Sequence, residues 1–156
     1  MGTRKDKGPA VKVPPPLIFF VFILFGWWLN GLVPVKLKAL ETMISSGWLF
    51  CIASFLIACT AVYQFFKART HIEPWKPADA LIVTGVFRYS RNPIYLAFVL
   101  FTVGLGLVMN NLWIILGIVP SIAVLHCLVI IREERYLKAR FGQEYEDYCS
   151  NVRRWL

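Results

Sequence analysis

The stretch RYSRNPIYL, residues 88–96, decides how this chain is organised, because it joins a polar segment to a long apolar one. Two arginines, a serine and an asparagine precede Pro93, and the chain is then predominantly apolar as far as Ile131. Asparagine is a favoured N-cap, and proline suits the first helical position because its missing N–H has no partner there. The pair Asn92-Pro93 therefore predicts a helix that starts at this boundary.

The composition predicts an all-α integral membrane bundle made of one domain, residues 1–156. The chain is 58% hydrophobic and 17% charged, with a mean hydropathy of +0.59. Soluble domains carry about a quarter charged residues. The apolar residues form continuous blocks instead of recurring at a helical or strand period, which indicates membrane-spanning segments.

Four apolar blocks predict about four transmembrane helices, at residues 17–32, 44–66, 93–108 and 112–131. A spanning helix needs ~20 residues to cross ~30 Å of hydrocarbon. The second and fourth blocks reach this length, whereas the first and third lie at its lower edge. The chain then divides into a tail (1–16), two spans (17–66), a loop (67–92), a helical hairpin (93–131) and a second tail (132–156).

The first block has an alternative interpretation as a signal peptide, because basic residues precede it. No clear small-x-small cleavage site follows it, and Trp27-Trp28 is typical of an interfacial anchor. We therefore interpret it as a span.

Lysine and arginine counts predict that both termini are cytoplasmic. The N-terminal tail carries four (Arg4, Lys5, Lys7, Lys12), the first loop two (Lys36, Lys38), the second loop five, the third loop none and the C-terminal tail six. Cytoplasmic loops carry the excess of these residues. The net charge of +8 is then a topology signal with attraction to anionic lipids, and its dispersal around span ends disfavours nucleic-acid binding. The four cysteines show no CxxC spacing, so we expect neither a disulfide nor a metal site.

The hairpin predicts a site for a zwitterion. Arg88 and Arg91 add positive charge to the amide-rich start of the third span, which favours an anion. The short turn 109–111 returns the fourth span to the same surface, where Glu133 and Glu134 would lie roughly one turn beyond the level of Asn92. An alternative interpretation is that the arginines are ordinary interfacial anchors and the two glutamates a solvated helix end.

Two motifs flank this hairpin, TGVFRYSRNPIYL (84–96) and EERYLKARFGQEYEDYCSNVRRW (133–155). Together they resemble the isoprenylcysteine carboxyl methyltransferase family, particularly its small bacterial members, within the superfamily that includes phospholipid methyltransferases. The resemblance runs from about Thr70 to Trp155. The first two spans carry no diagnostic pattern.

The resemblance implies an S-adenosylmethionine-dependent methyltransferase with the cofactor in a cytoplasmic pocket of the C-terminal half. The cofactor's carboxylate would lie at the Asn92-Pro93 helix start near Arg91, with its ammonium at Glu133 or Glu134. Aromatic side chains would wall the rest, and segment 140–152 would cover it. The implied cofactor-binding residues are Tyr89, Arg91, Asn92, Pro93, Tyr95, Leu96, Glu133 and Glu134, with Phe141 and Tyr145 as further aromatic walls.

Two positions depart from the family pattern. Asn92 stands where histidine is common, which argues against an acid–base role there. Ala97 stands where glycine is common, and its methyl group could narrow the pocket.

No general base is evident, because methyl transfer depends mainly on alignment in a dry site. Arg153 and Arg154 are candidates to hold an anionic acceptor, or they bind lipid head groups. His126 is a second catalytic candidate because ionisable residues inside spans are rare; it lies seven residues before Glu133 and so near the same helix face, although it could instead bond a neighbouring helix.

The acceptor class stays open at this stage. An amphiphilic or lipid-like molecule is expected, such as an isoprenylcysteine carboxylate, a phospholipid amine, an isoprenoid or a small thiol. The alternative function is a non-enzymatic four-span lipid-binding or scaffold protein. A reductase is disfavoured, because the chain is short and shows no pyridine-nucleotide pocket.

Overall fold

The computed structural model describes residues 8–35, 37 and 41–156, the side chains of residues 41 and 42 excepted. The basic residues 4, 5, 7, 36 and 38, on which part of the topology prediction depends, lie outside the described residues. The helices are α1 (Pro15–Leu32), α2 (Glu41–Ala68), α3 (Pro93–Val108), α4 (Leu112–Leu116), α5 (Ile118–Leu125), α6 (Ile131–Phe141) and α7 (Gln143–Asn151). A 3₁₀ turn (Gly85–Arg88) precedes α3, and a π turn (His126–Ile130) joins α5 to α6.

The predicted class, an all-helical membrane bundle, is confirmed. Regular structure in the described residues is helical throughout. Three segments are long and apolar enough to cross a membrane, namely Pro15–Leu32, Met43–Ala68 and Leu112–Phe141, and the shorter Pro93–Val108 is also apolar. The exposed faces of α1 and α2 carry large apolar side chains, as expected where lipid replaces water.

Close backbone approach holds α2 against α3. A Cβ added to Gly104 would lie 2.6 Å from the carbonyl oxygen of Gly47, so these positions admit no larger residue without movement. About two helical turns from this contact, the Ser54 hydroxyl of α2 donates to the carbonyl of Ala97 of α3 at 2.8 Å. Small residues with a buried hydroxyl are the usual means of helix association where no hydrophobic force acts between helices. These contacts between α2 and α3 fix the position of the start of α3 relative to α2.

The turn of the hairpin is capped by Asn111. Its buried side-chain oxygen accepts from the backbone N–H groups of Trp113 and Ile114, at 3.0 and 3.3 Å. Satisfying these first-turn donors is how an N-cap stabilises a helix start. The turn at 109–111 was predicted from the sequence, but this cap was not.

The fourth span is interrupted, in contrast to the single predicted block at 112–131. Gly117 separates α4 from α5, Pro120 lies inside α5, and the π turn follows. Proline lacks the N–H that would bond to the preceding turn, so regular α-helix is weakened here. The helix also continues to Phe141, which carries Glu133 and Glu134 on an ordered helix instead of a loose tail.

The C-terminal segment folds back, as expected for residues 140–152. Gly142, with φ of +55°, ends α6 and reverses the chain into α7. Tyr145, Tyr148 and Val152 are buried together and pack against Leu81 of the long loop and other apolar side chains. The segment therefore closes over the start of α3.

Candidate active site

The hairpin brings the start of α3 against α6, as predicted. The Tyr95 hydroxyl, one turn into α3, lies 2.8 and 2.9 Å from the two carboxylate oxygens of Glu133 and donates to that carboxylate. Tyr95 is a neutral partner, so this contact leaves the negative charge of an ionised Glu133 uncompensated. Glu133 is therefore a candidate to receive a cationic group.

Glu134 is engaged differently from Glu133. Arg154 donates from Nε and Nη2 to the two Glu134 oxygens, both at 2.8 Å, in the bidentate geometry that suits guanidinium and carboxylate. The same bonds raise the pKa of Arg154. A second cation, Arg91, lies 3.5 Å from Glu134 through Nη1. The two adjacent glutamates, which the sequence analysis left equivalent, thus have separate roles.

Asn92 occupies the N-cap position of α3, but the predicted side-chain cap is wrong. Its side chain makes no cap hydrogen bond, and Nδ2 instead donates to the Arg154 carbonyl at 3.1 Å. Its backbone N–H donates to the Ser90 hydroxyl, also at 3.1 Å. The chain's own carbonyl competes successfully for the amide because the C-terminal segment lies directly over the helix start. Asn92 therefore joins the two ends of the site.

Arg91 is anchored from several sides. Its backbone N–H donates to the Arg153 carbonyl at 3.1 Å, and Nη1 donates to the Cys149 sulfur at 2.6 Å. Its buried Nε has no hydrogen-bond partner among the described residues. A buried donor without a partner is costly, so such a group is a candidate to meet a bound acceptor.

A cavity of about 480 Å³ lies between these groups and the membrane-facing helices. This volume is within the range of ~300–1,000 Å³ that small-molecule sites occupy. The polar part of the lining, here called the polar wall, consists of Arg91, Asn92, Tyr95, Glu133, Glu134, Tyr145 and Tyr148. The apolar part, here called the apolar wall, consists of Pro14, Pro15, Pro16, Ala58, Val62, Phe65, Ile94 and Phe98. The cavity is thus amphiphilic.

Two further parts of the lining were missed by the sequence analysis. The loop 70–82 lines the cavity through residues such as His71 and Trp75, and Tyr136 Oη accepts from the Ala78 backbone N–H at 3.0 Å. The N-terminal segment contributes Pro9. Neither carries a periodic or motif-like signal, and only the resemblance beginning near Thr70 indicated that the loop belongs with the C-terminal half.

Tyr148 also lines the cavity, although it was not among the predicted site residues. Its hydroxyl donates to the Phe87 carbonyl at 2.6 Å, which ties α7 to the 3₁₀ turn before α3. Burial raises the pKa of both Tyr148 and Tyr145, so both phenols are neutral at physiological pH. The wall they form is aromatic and uncharged.

Several predicted residues do not line the cavity. The Tyr89 side chain is 72% exposed, and Leu96, Phe141 and Arg153 also lie outside the lining. His126 lies in the π turn, whose wider repeat rotates the residues before it relative to Glu133. The expectation that His126 shares the face of Glu133 assumed a regular α-helix and stays a prediction, and His126 is not among the residues that line the cavity.

Comparison with known proteins assigns the chain to a family. The sequence model of the phospholipid methyltransferase family matches residues 42–144. This range includes nearly all of α2, the hairpin that begins with α3, and α6. The chain belongs to the phospholipid methyltransferase family. The matched region contains the polar wall of the cavity as far as Glu134, whereas α1 and all but the first two residues of α7 lie outside it.

Curated relatives include methyltransferases of plants. The chain is 23% identical to "Protein-S-isoprenylcysteine O-methyltransferase B" of Arabidopsis thaliana over 146 residues, covering 87% of this chain and 63% of the relative. It is 29% identical to a "Probable protein-S-isoprenylcysteine O-methyltransferase" of Oryza sativa subsp. indica over 116 residues, covering 68% and 56% respectively. It thus spans less than two thirds of either relative.

A bacterial relative is shorter. An "Uncharacterized protein" of Haemophilus influenzae is 40% identical over 63 residues, which cover 40% of this chain and 100% of that protein.

Proposed function

We propose that this membrane protein is an S-adenosylmethionine-dependent methyltransferase acting on an amphiphilic or lipid-like acceptor. The observation that carries the proposal is the amphiphilic cavity, whose lining combines a cluster of ionic side chains with apolar side chains. Membership of the phospholipid methyltransferase family and the names of the plant relatives support it. We also propose that both termini, and therefore the polar wall, face the cytoplasm.

The polar wall suits the amino-acid end of this cofactor. Arg91 offers a buried Nε donor without a partner, which fits a carboxylate. Glu133 offers a carboxylate held only by a neutral phenol in the described structure, which fits an ammonium. Glu134 is committed to Arg154 and Arg91, so it would position the anion-binding half instead of binding the ammonium. We therefore assign Glu133 to direct contact and Glu134 to a positioning role.

Bound S-adenosylmethionine supplies a methyl group on a positively charged sulfur, ready for in-line displacement. The chain's own contribution is alignment and exclusion of water. Tyr145 and Tyr148 contribute an uncharged aromatic surface to the polar wall, and the face of such a ring attracts a cation. The folded-back C-terminal segment closes that side of the cavity. A carboxylate acceptor would attack without losing a proton, whereas a protonated amine would have to lose one first. Arg153 stays a candidate for holding an anionic acceptor at the edge.

The apolar wall indicates the acceptor's chemistry. Pro15, Val62 and Phe98 come from three separate helices, and all three line the same cavity as the polar wall. A molecule with an apolar chain and a polar end bearing the reacting atom would satisfy both surfaces. An isoprenylcysteine carboxylate and a phospholipid amine both have this form.

Calorimetry on the detergent-purified protein tests the cofactor assignment. Wild type is expected to bind S-adenosylmethionine, and Glu133→Gln to bind it roughly tenfold or more weakly, because a charge-assisted contact is lost. Glu144→Gln is the matched control, since Glu144 is exposed on α7 and outside the cavity lining. No binding by wild type at millimolar cofactor would exclude the methyltransferase proposal and favour a lipid-binding scaffold.

Methyl transfer from labelled cofactor to a native lipid extract tests the acceptor. The proposal expects label in the organic phase, with product identification deciding between a carboxyl ester and a methylated amine. Label that stays wholly in the aqueous phase would contradict a lipid-like acceptor without affecting the cofactor assignment.

A further inference from the structure

A second concavity lies on the other side of α6, next to the candidate active site. Its volume is also about 480 Å³, and its walls include Gly8, Pro9, Ala10, Arg132, Arg135 and Tyr136. It shares only Pro9 and Tyr136 with the lining of the first cavity. Neither the family assignment nor the zwitterion site gives it a role.

The charged side chains in its lining are both arginines. Arg132 and Arg135 are three residues apart on α6 and therefore neighbours on one helix face. The acidic residues between them, Glu133 and Glu134, contact Tyr95 and Arg154 at the first cavity and do not line this one. The second concavity is thus a basic site at the end of the fourth span.

The two arginines have different surroundings. Arg132 is half-buried, and its Nη1 donates to the Ala10 carbonyl at 3.1 Å, which orients the guanidinium and leaves other N–H groups available. Arg135 is exposed and makes no hydrogen bond or ion pair among the described residues. One cation is therefore fixed in place while the second is free to close on a ligand.

The backbone wall facing these arginines is itself held in place. Gly8 and Ala10 have φ values of +69° and +56°, a region that few residues other than glycine adopt. A Cβ at Gly8 would lie 2.6 Å from the Trp75 carbonyl, so the segment is packed against the loop 70–82. Val11, which follows Ala10, is buried in the core with Phe19 and Tyr95. The backbone wall of the concavity is therefore held in one conformation by its packing.

We propose that this concavity binds the phosphate group of an anionic ligand. Guanidinium groups bind phosphate oxygens with paired, charge-assisted hydrogen bonds, and two arginines one turn apart provide enough donors for one phosphate. The position at the end of a membrane-spanning segment suits a phospholipid head group, although soluble phosphate offers the same chemistry. The site is separate from methyl transfer, so its test needs no cofactor.

The test compares lipid retention by the full chain, using native mass spectrometry of protein released from mixed phosphatidylglycerol and phosphatidylcholine micelles. Wild type is expected to retain phosphatidylglycerol preferentially, and Arg132→Gln/Arg135→Gln to lose that preference by about tenfold. Lys67→Gln/Arg69→Gln is the matched control, because it removes two exposed cations that lie two residues apart in the chain and outside both cavities. Arg135→Gln alone is included because an exposed side chain without contacts can be removed without loss of the fold; it is expected to lose part of the preference.

Inorganic phosphate titrated against the retained lipid separates the two sources. Displacement at millimolar phosphate would identify a site for a free phosphate group, and persistence of the lipid would identify a head-group site; both support phosphate binding. Phosphatidylcholine also carries a phosphate group, so equal retention of the two lipids by wild type would overturn the proposal if inorganic phosphate does not bind and Arg132→Gln/Arg135→Gln retains both lipids as wild type does. An equal loss in Lys67→Gln/Arg69→Gln would overturn it too, because general surface charge would then explain the preference.

Discussion

At the scale of single residues, two consecutive glutamates have different partners. Glu133 meets a neutral phenol, whereas Glu134 meets two guanidinium groups. On a helix, consecutive residues point about 100° apart, so neighbours in sequence face different surroundings. This is why one of the pair can bind a ligand while the other holds the site together.

Arg154 is expected to act as a latch for the C-terminal segment. Its guanidinium bonds to Glu134, and its carbonyl accepts from Asn92. Because the Arg154 side chain is 39% exposed, we expect its ion pair to stabilise the segment by only about 1 kcal/mol, roughly a fivefold change in opening. Arg154→Met should therefore speed amide hydrogen exchange at Arg91 by about that factor.

Arg153→Met is the control for this prediction, because Arg153 contributes its backbone carbonyl to Arg91 and its side chain is exposed. Exchange at Arg91 should be unchanged in this variant. If Arg153→Met speeds exchange as much as Arg154→Met, the Glu134 ion pair is not the latch. A change in the acceptor's KM alone would instead support the role proposed for Arg153.

At the scale of elements, the seam between α2 and α3 positions the polar wall. Gly104→Ala places a methyl group 2.6 Å from the Gly47 carbonyl, so the helices must separate. Such overpacking costs about 1–3 kcal/mol, and we expect a lower thermal unfolding temperature in detergent. Gly31→Ala is the control, since nothing lies within 4 Å of the added Cβ, and it should stabilise α1 by about 0.5–1 kcal/mol. Equal behaviour of the two variants would show that the seam tolerates separation.

The interrupted fourth span is a second feature at this scale. Pro120 and the π turn lie between the Asn111 cap and Glu133, and they alter the rotation of the helix along its length. Counting residues on an ideal helix brought Glu133 close to the start of α3, which agrees with its contact to Tyr95, but it took no account of the π turn at His126. The position of a residue along the helix axis is the sum of the rises of the residues before it, and a single wide turn changes that sum little. Its direction around the axis, in contrast, changes with each extra residue in a turn.

At the scale of the whole molecule, the four apolar helices predict that the hairpin turn and the C-terminus lie on opposite sides of the membrane. The shortest of them, α3, has 16 residues and spans only ~24 Å, less than the ~30 Å hydrocarbon core. The polar residues Arg91 and Asn92 at its start would then thin the bilayer locally, so that the membrane–water interface lies closer to the bilayer centre. Fluorescent-protein fusions after Asn110 and after Leu156 should show signal in a bacterial host only for the second. Fluorescence of the Asn110 fusion would contradict four spans.

The sequence by itself determined which segments are helical and apolar, because block length and the Asn92-Pro93 boundary are local properties. It also predicted that α3 and α6 lie close together, since the short turn at 109–111 restricts how the two arms of the hairpin can be arranged. The tertiary structure alone decided that Asn92 bonds to the Arg154 carbonyl instead of capping its helix, and that the loop 70–82 and Pro9 line the cavity. Those contacts join residues far apart in the chain, and the geometry that selects one partner over another exists only once the helices have packed.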